Sequence, residues 1–355
     1  MSTISFARGI PAPECLPVEE LADCARAALE RDGRTILSYG PSPGYQPLRE
    51  WVAARHDVDP SRVFLTNGSL QGFVFLAQRL APGKRVLVER PTYDRPLKIL
   101  RELGAEVVAL PTDDQGLDPD ALERELRAGG AAFLYLIPTF QNPSGRTLPL
   151  DRRQRVVELA AEHGLMVLED DPYGLVRYEG EPIPSLFELS GGAVTYSSSF
   201  SKTIAPGIRV GWFVFPDELA ASVAATATAT YITPVLLGQA TVHEFVRRGN
   251  FEPNLERVIG LLGARRDAMQ SALERELPGA TASRPEGGYF LWLEVDGIDA
   301  VELLPRAEEA GVTYVSGADF GGPPGSIRLA FSFVSTDEID DGVARLASLL
   351  PVAAA

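Results

Sequence analysis

A lysine held away from other charges is the side chain in this sequence best placed to act as a nucleophile. Lys202 lies in SSSFSKTIAPGIR, a run of small and hydroxyl residues with no second charge before Arg209. Flanked by predicted strands, its ammonium should be partly desolvated, which favours the neutral, nucleophilic amine. Further polar residues fall just after apolar runs, at the places where open α/β sheets bind ligands. LYLI is followed by PTFQNPSG with Asn142, and VLVE by RPTYDRP with Tyr93; MVLE is followed by DDPYG with Asp170 and Tyr173, and VTYS by Ser199, Lys202 and Arg209. These side chains could converge on one crevice. Each alone has an ordinary explanation: an aspartate after a strand is usually a cap or turn residue, NPSG is a good turn whatever else it does, and a lone lysine is usually solvated. Together, an amine beside hydroxyls and an arginine suits an aldehyde ligand that bears a phosphate. Ser199, Arg209 and Ser69, the last in TNGSLQG at a predicted helix start, could hold that dianion, because helix N-terminal amides and a guanidinium both favour it. An acid at a strand end could then pair with a pyridinium nitrogen.

Positioning such a set takes a sheet. Between about Ser61 and Pro216, short β-branched or apolar runs alternate with helical patterns, the order of βαβ units and a mainly parallel α/β sheet. RVLVE (85–89), AEVVAL (105–110), AAFLYLI (131–137), LMVLE (165–169) and AVTYS (193–197) read as strands apolar on both faces. Asp151 to His163 reads as a helix, with Val156, Leu159 and Ala160 on one face and Gly164 as its left-handed stop. Beyond Pro216 the pattern predicts a long charged helix over roughly Glu252 to Leu277, then strands in GGYFLWLEV (287–295) and SIRLAFSFV (326–334), which together suggest a smaller α+β domain. No repeat or low-complexity linker separates the parts, so the domains should share a packed interface. In the alternating run of Tyr289, Phe290 and Trp292, core packing accounts for Trp292, while Tyr289 or Phe290 could edge the pocket.

Composition excludes several classes. The chain has 355 residues, 45% of them hydrophobic, enough for about two domains at roughly 150 residues each and for a sizeable core. Its 33 basic and 48 acidic side chains leave a net charge of −15 without a basic tract, which repels a duplex phosphate backbone and argues against nucleic acid as a partner. The longest uncharged stretch, Leu219 to Val242, could cross a bilayer, but it carries Ser222, five threonines, Pro234 and Gln239 and is mostly alanine elsewhere. It reads as a buried helix and the turn after it, and no membrane partner is expected. No apolar signal-peptide core opens the chain, and Cys15 and Cys24 do not make a disulfide framework, so a cytoplasmic location is expected. His56, His163 and His243 lack metal-ligand spacing, and His163 suits the C-terminal dipole of its helix. No Walker loop, GxGxxG or GxSxG elbow is present, so phosphoryl transfer, hydride transfer and serine hydrolysis lack their parts.

The motifs ISFARGIPAPECLP, SYGPSPGYQPLR, TNGSLQG, ERPTYDR, PTFQNPSG, EDDPYG, SFSKTIAPGIRVGW, PEGGYFLW and IRLAFS, in that order, resemble those of the fold type I, pyridoxal phosphate-dependent aminotransferases of class I/II. The similarity is greatest to the branch with 2-aminoadipate and kynurenine aminotransferases. The resemblance implies a mainly parallel, seven-stranded-type sheet sandwiched by helices, with an N-terminal arm over 1–38 that contributes to the small domain, a large cofactor-binding domain over 39–245 and a small C-terminal domain over 246–355. It makes Lys202 the Schiff-base lysine and proton carrier, and Asp170 the partner of the ring nitrogen that keeps the ring an electron sink. Tyr173 and Asn142 would hydrogen-bond the phenolic oxygen, Tyr93 would stack on the ring, Ser69, Ser199 and Arg209 would bind phosphate, and Arg328 would clamp the substrate α-carboxylate. Tyr39 matches a residue that reaches the phosphate of a partner subunit, which implies a homodimer with shared active sites, and Gly9 matches a segment lining the substrate pocket. Leu70 stands among the phosphate ligands where relatives usually carry glutamine, Asn254 stands where histidine is common, and the chain is short for the family, which puts a standard substrate in doubt. The expected activity is transfer of an α-amino group from an L-amino acid to a 2-oxo acid. Diversion of the same carbanion to elimination, oxidation or cyclisation is the alternative within this fold, and a ligand-sensing regulatory module the remote one. Arg328 accounts only for the α-carboxylate, so the donor side chain stays open.

Overall fold

The computed structural model describes residues 3–350. Its central sheet contains β1 (Val63–Thr66), β2 (Arg85–Arg90), β3 (Glu106–Asp113), β4 (Phe133–Leu136), β5 (Val167–Asp170), β6 (Thr195–Ser199) and β7 (Gly211–Val214), in the spatial order β1-β7-β6-β5-β4-β2-β3. The two-residue strand Gly116–Leu117 folds back antiparallel on the outer edge of β3. Within the seven, only β7 runs against its neighbours, pairing antiparallel with both β1 and β6. The α/β class and the mainly parallel sheet are as expected: β4 and β5 are short, largely apolar runs, and β6, although its residues are TYSSS, is buried throughout.

Two expectations fail. The AEVVAL segment is not buried on both faces: as the outermost long strand, β3 has Leu110 in the core while Glu106, Ala109 and Pro111 face solvent. The uncharged stretch Leu219 to Val242 is likewise not one buried helix and a turn. It is divided between α5 (Asp217–Tyr231) and α6 (Leu236–Arg247), with Ile232 at φ 66° and Pro234 in the break. Of α5 only Val223 and Ala227 are buried, because an Ala/Thr-rich sequence offers little apolar face; α6 is buried along most of its length. The earlier helices include α1 (Val18–Ile36), α2 (Ser69–Leu80), α3 (Asp94–Glu102) and α4 (Leu150–His163), the last stopped by Gly164 at φ 60°. The charged helix α7 spans Phe251–Glu276.

A second sheet pairs β8 (Phe290–Glu294) antiparallel with β9 (Ser326–Ala330), in a register that sets Trp292 opposite Arg328. The N-terminal segment adds to this side: Ile4–Ser5 pairs with Val312–Thr313, the Ala330 amide donates to Phe6 O at 2.7 Å, and Ile4, Phe6, Ala12 and Cys15 enter the core around β8, β9 and α7. Farther along, Cys24, Ala28 and Ile36 of α1 pack in a different core with α6 and β1. The segment before α1 therefore straps the small sheet across the mouth of the large one.

Topology explains why polar residues gather at one edge. The carboxyl ends of β1, β2, β4, β5 and β6 share an edge of the sheet, and loops leaving them carry Ser69, Tyr93, Asn142, Asp170 and Lys202. Because β7 is antiparallel, its entry sits at that edge, and Arg209 lies two residues before it.

Candidate active site

A cavity of about 440 Å³ opens at that edge and is closed on the far side by the N-terminal segment and β9. Gly9, Ser69, Leu70, Tyr93, Asn142, Asp170, Tyr173, Ser199, Lys202, Arg209 and Arg328 all line it. Tyr39 does not; it lies in a separate surface groove with Leu37 and Val235, 81% exposed.

Lys202 follows the turn that leaves β6. Its Nζ donates to Gly9 O at 2.6 Å and lies 5.6 Å and 5.1 Å from the ring centroids of Tyr173 and Tyr289. Burial, with Arg328 and Arg209 nearby as secondary causes, pulls the ammonium down to about 7. The amine is therefore substantially neutral near neutral pH. The Tyr289 hydroxyl donates to Lys202 O at 2.7 Å, fixing the backbone beneath it. Tyr289 thus packs under the lysine, and Phe290 is the member of the aromatic run that lines the cavity.

Asp170 ends β5. Burial lifts its carboxyl to about 6, opposed by hydrogen bonds from Tyr135 and Ser197 and reinforced by the charge of Asp171. The Tyr135 hydroxyl donates to Oδ2 at 2.7 Å, while Oδ1 has no partner among the described residues. A buried acceptor left open in a cavity is a socket for a donor, and a cationic N–H suits it best.

The phosphate-sized corner lies at the start of α2. Gly68, at φ +87°, precedes the helix, and a Cβ there would collide with the Arg209 guanidinium; a Cβ on Gly211 would collide with the Ser69 amide. Both glycines are needed for this close approach of backbone to side chain. Arg209, itself left-handed at φ 55°, donates to Asn67 O and Pro206 O, each at 3.1 Å. Ser199 Oγ donates to Val210 O at 3.2 Å, and Ser201 joins the same corner. The arrangement offers hydroxyls, a helix N-terminus and a guanidinium to one anion.

On the opposite wall, Arg328 lies between the rings of Phe290 and Phe320, its Cζ 4.4 Å and 4.9 Å from their centroids. It donates to Asn142 Oδ1 at 3.1 Å and Ala7 O at 2.8 Å, while its buried Nε has no partner among the described residues. Burial lowers its guanidinium to about 10. Asn142 and Tyr93 are joined from behind. Glu89 accepts from the Ile137 amide at 2.8 Å, and Gln141 donates to Pro91 O at 2.7 Å and accepts from Ser144 Oγ at 2.6 Å. Burial lifts the Glu89 carboxyl to about 8, so it is largely protonated at neutral pH.

Sequence reasoning missed Tyr135, Ser197, Ser201 and Phe320. Tyr135 was detectable in principle, because a tyrosine inside an otherwise apolar strand needs a partner for its hydroxyl. Of the two departures, Leu70 does line the cavity. Asn254 does not: it donates to Thr203 O at 2.6 Å and accepts from Arg257 at 2.7 Å, tying α7 to the residue after Lys202. His56 is occupied within the core, accepting from Trp212 Nε1 at 3.3 Å and pushed down to about 4 by burial.

The sequence pattern of aminotransferases of class I and II matches residues 14–346. The 2-aminoadipate transaminase of Thermus thermophilus is 40% identical over 362 residues, spanning 98% of this chain and 90% of that protein. Aromatic-amino-acid aminotransferase 1 of Thermococcus litoralis is 35% identical over 98% of this chain and 88% of its own length. The crystal structure of an alpha-aminoadipate aminotransferase from Thermus thermophilus, complexed with N-(5'-phosphopyridoxyl)-L-leucine, matches with a TM-score of 0.94 at 37% identity, covering 98% of this chain and 92% of that one. With the match extending over nearly its whole length, the chain belongs to the class I and II aminotransferases and is an enzyme of amino-group transfer.

Proposed function

We propose that the cavity holds pyridoxal 5'-phosphate on Lys202 and that its residues move the α-amino group of an L-amino acid to a 2-oxo acid in two half-reactions. The observation that carries this reading is the open Oδ1 of buried Asp170 in the same cavity as a desolvated lysine amine and a glycine-lined anion corner. Bound there, the cofactor supplies an aldehyde carbon that takes amines and a ring that accepts electrons. Asp170 Oδ1 accepts the ring N–H, with Tyr135 and Ser197 fixing the carboxylate in place. Ser69, Ser199 and Arg209 hold the phosphate, Tyr93 stacks on the ring, and Tyr173 and Asn142 hydrogen-bond the phenolic oxygen. Arg328 takes the α-carboxylate of the substrate through its free Nε and an adjacent N–H as a bidentate pair. Lys202 Nζ, as a neutral amine, would take the Cα proton of the substrate and hold it for return. Gly9, whose carbonyl accepts from that amine, keeps the segment close over it.

A second copy of the chain completes the reading. Tyr39 is exposed beside Leu37, Ile232 and Val235, at 81%, 72%, 55% and 57%, and such an apolar patch supports a homodimer in which Tyr39 reaches the other copy's phosphate. No helix among the described residues is long and apolar enough to cross a membrane; together with the two free cysteines and the charge of −15, this supports a cytoplasmic enzyme.

Lys202→Ala should still take up cofactor at the anion corner but lose at least about 10³-fold in turnover; near wild-type turnover in a coupled assay would remove the lysine from its role. Imine formation needs the neutral amine, so the rate of cofactor capture by the apoprotein should climb with pH through about 7 and then level off, and a rate flat across roughly four pH units centred there, the span such a titration needs, would contradict the desolvated lysine on stopped-flow absorbance. Tyr135→Phe removes the hydrogen bond that holds the Asp170 carboxyl down. The acid limb of kcat/KM should therefore move up by roughly half a unit to one unit. Sedimentation should give about twice 38.3 kDa, with Tyr39→Phe retaining that mass but releasing cofactor more readily on dialysis; a monomer that retains full activity would exclude the shared site.

A further inference from the structure

Under the proposed reading, four charges of the cavity have partners: Lys202 takes the aldehyde, Asp170 the ring nitrogen, Arg209 the phosphate and Arg328 the α-carboxylate. A fifth has none on the ligand. Asp94, the first residue of α3 and the neighbour of Tyr93, lines the same cavity, with its side chain 17% exposed. Its field reaches both walls that bracket a bound substrate: it adds to burial in raising the Tyr93 phenol, and it offsets part of the burial that lowers the Arg328 guanidinium. Its counter-ions approach from outside. Lys98 Nζ stands 2.8 Å away and Arg95 Nε 3.7 Å, on side chains 58% and 59% exposed, so water and salt screen them more than they screen the carboxylate.

An acid in the first turn of a helix with a lysine four residues on is also a stabilising arrangement for α3 itself. That accounts for the residue type, but not for a mostly buried carboxylate lining a cavity whose other unassigned side chains, Arg95 apart, are apolar, Ile10, Pro96 and Phe290 among them. Arg95 lines the rim as well, yet its head is mostly in solvent and already paired with Asp94. Asp94 is therefore the mostly buried charge of the cavity wall that no group of the proposed ligand answers, its two counter-ions standing on exposed side chains.

We propose that Asp94 sets donor specificity: its carboxylate, next to Tyr93 in the wall of the cavity that Arg328 also lines, selects amino acids with neutral or cationic side chains and rejects those with a second carboxylate. The inference rests on the proposed reading of the cavity and adds the substrate class to it. A like charge built into a pocket discriminates by repulsion as well as by fit, and a partly screened contact of this kind is worth about tenfold or more.

The test uses the holoenzyme and single donors without an acceptor, following amination of the bound cofactor. Glutamate and 2-aminoadipate are compared with leucine and phenylalanine. Asp94→Asn should raise the acidic-to-neutral ratio of rate constants about tenfold or more, and Lys98→Gln, which uncovers the Asp94 charge, should lower it. Calorimetric titration with glutarate and hydrocinnamate, which cannot react, should show the same shift in relative affinity. Ratios within about twofold of wild type in both variants, by rate and by binding, overturn the assignment of Asp94. Failure of every donor to aminate the wild-type cofactor would instead overturn the reading of the cavity beneath it.

Discussion

The structure depends on keeping a lysine amine dry at the carboxyl edge of a parallel sheet. Lys202 is enclosed by Gly9, Tyr173 and Tyr289, and its ammonium falls to about 7 chiefly because water is excluded. Everything that excludes water comes from elsewhere in the chain. Gly9 belongs to an N-terminal segment stitched to the small sheet, Tyr289 precedes β8, and Tyr173 follows β5. The reactivity of one side chain is thus a property of how two sheets and a strap close on each other, and loosening any of them would rehydrate the amine and restore an ordinary lysine.

The same enclosure governs its neighbours. Asp170 and Arg328 lose solvation along with Lys202, and each retains a polar atom without a protein partner among the described residues, Oδ1 in one and Nε in the other. Both residues line the cavity, so the fold gives up stability at the site where a ligand can return it. Behind them the polar groups are satisfied: Glu89 holds the Ile137 amide, and Gln141 bridges Pro91 and Ser144, so the loops bearing Tyr93 and Asn142 are fixed to one another. A rigid satisfied layer supporting an unsatisfied one is what preorganised binding of a charged ligand requires.

Much of this was legible in the sequence because strand ends are local features. A short apolar run followed by turn-forming polar residues locates a loop at the sheet edge without any knowledge of strand order, which is why Asn142, Asp170, Tyr93 and Lys202 could be named together. Features that depend on order were not legible. Arg209 could be named from its closeness to Lys202 in the chain, but the reason it arrives, that β7 runs backward, is stated by nothing in GIRVGWFV. The AEVVAL run looked like any buried strand, yet β3 is the outermost long strand and half-exposed, since burial on the second face depends on a neighbour that sequence does not reveal. The Leu219–Val242 stretch misled for the converse reason: absence of charge is not presence of an apolar face, and a helix rich in Ala and Thr can lie half in solvent. That Tyr135 needs a partner was legible, but that the partner is Asp170, and that Asp94 lines the cavity, depends on which face of a strand or helix turns inward.

Proton linkage shows where the enclosure costs most. Asp170 has its carboxyl raised to about 6 in the fold, from an ordinary value of 3.8, so it binds more protons folded than unfolded between those values and its contribution to stability falls as pH rises through that window. Lys202 has its ammonium lowered to about 7 from 10.5, so the unfolded chain holds the extra proton there and stability rises with pH across that span. The two slopes have opposite sign and leave a minimum between about 6 and 7, where both groups are charged and buried. On the proposed reading, a cationic ring nitrogen would remove the first penalty by giving the Asp170 carboxylate a partner, and engagement of the Lys202 amine by the cofactor would change the second. The cofactor of the proposed reading would therefore also offset the desolvation cost of these buried charges, and most effectively near neutral pH. This coupling makes stability and catalysis two readings of the same desolvated lysine–aspartate pair.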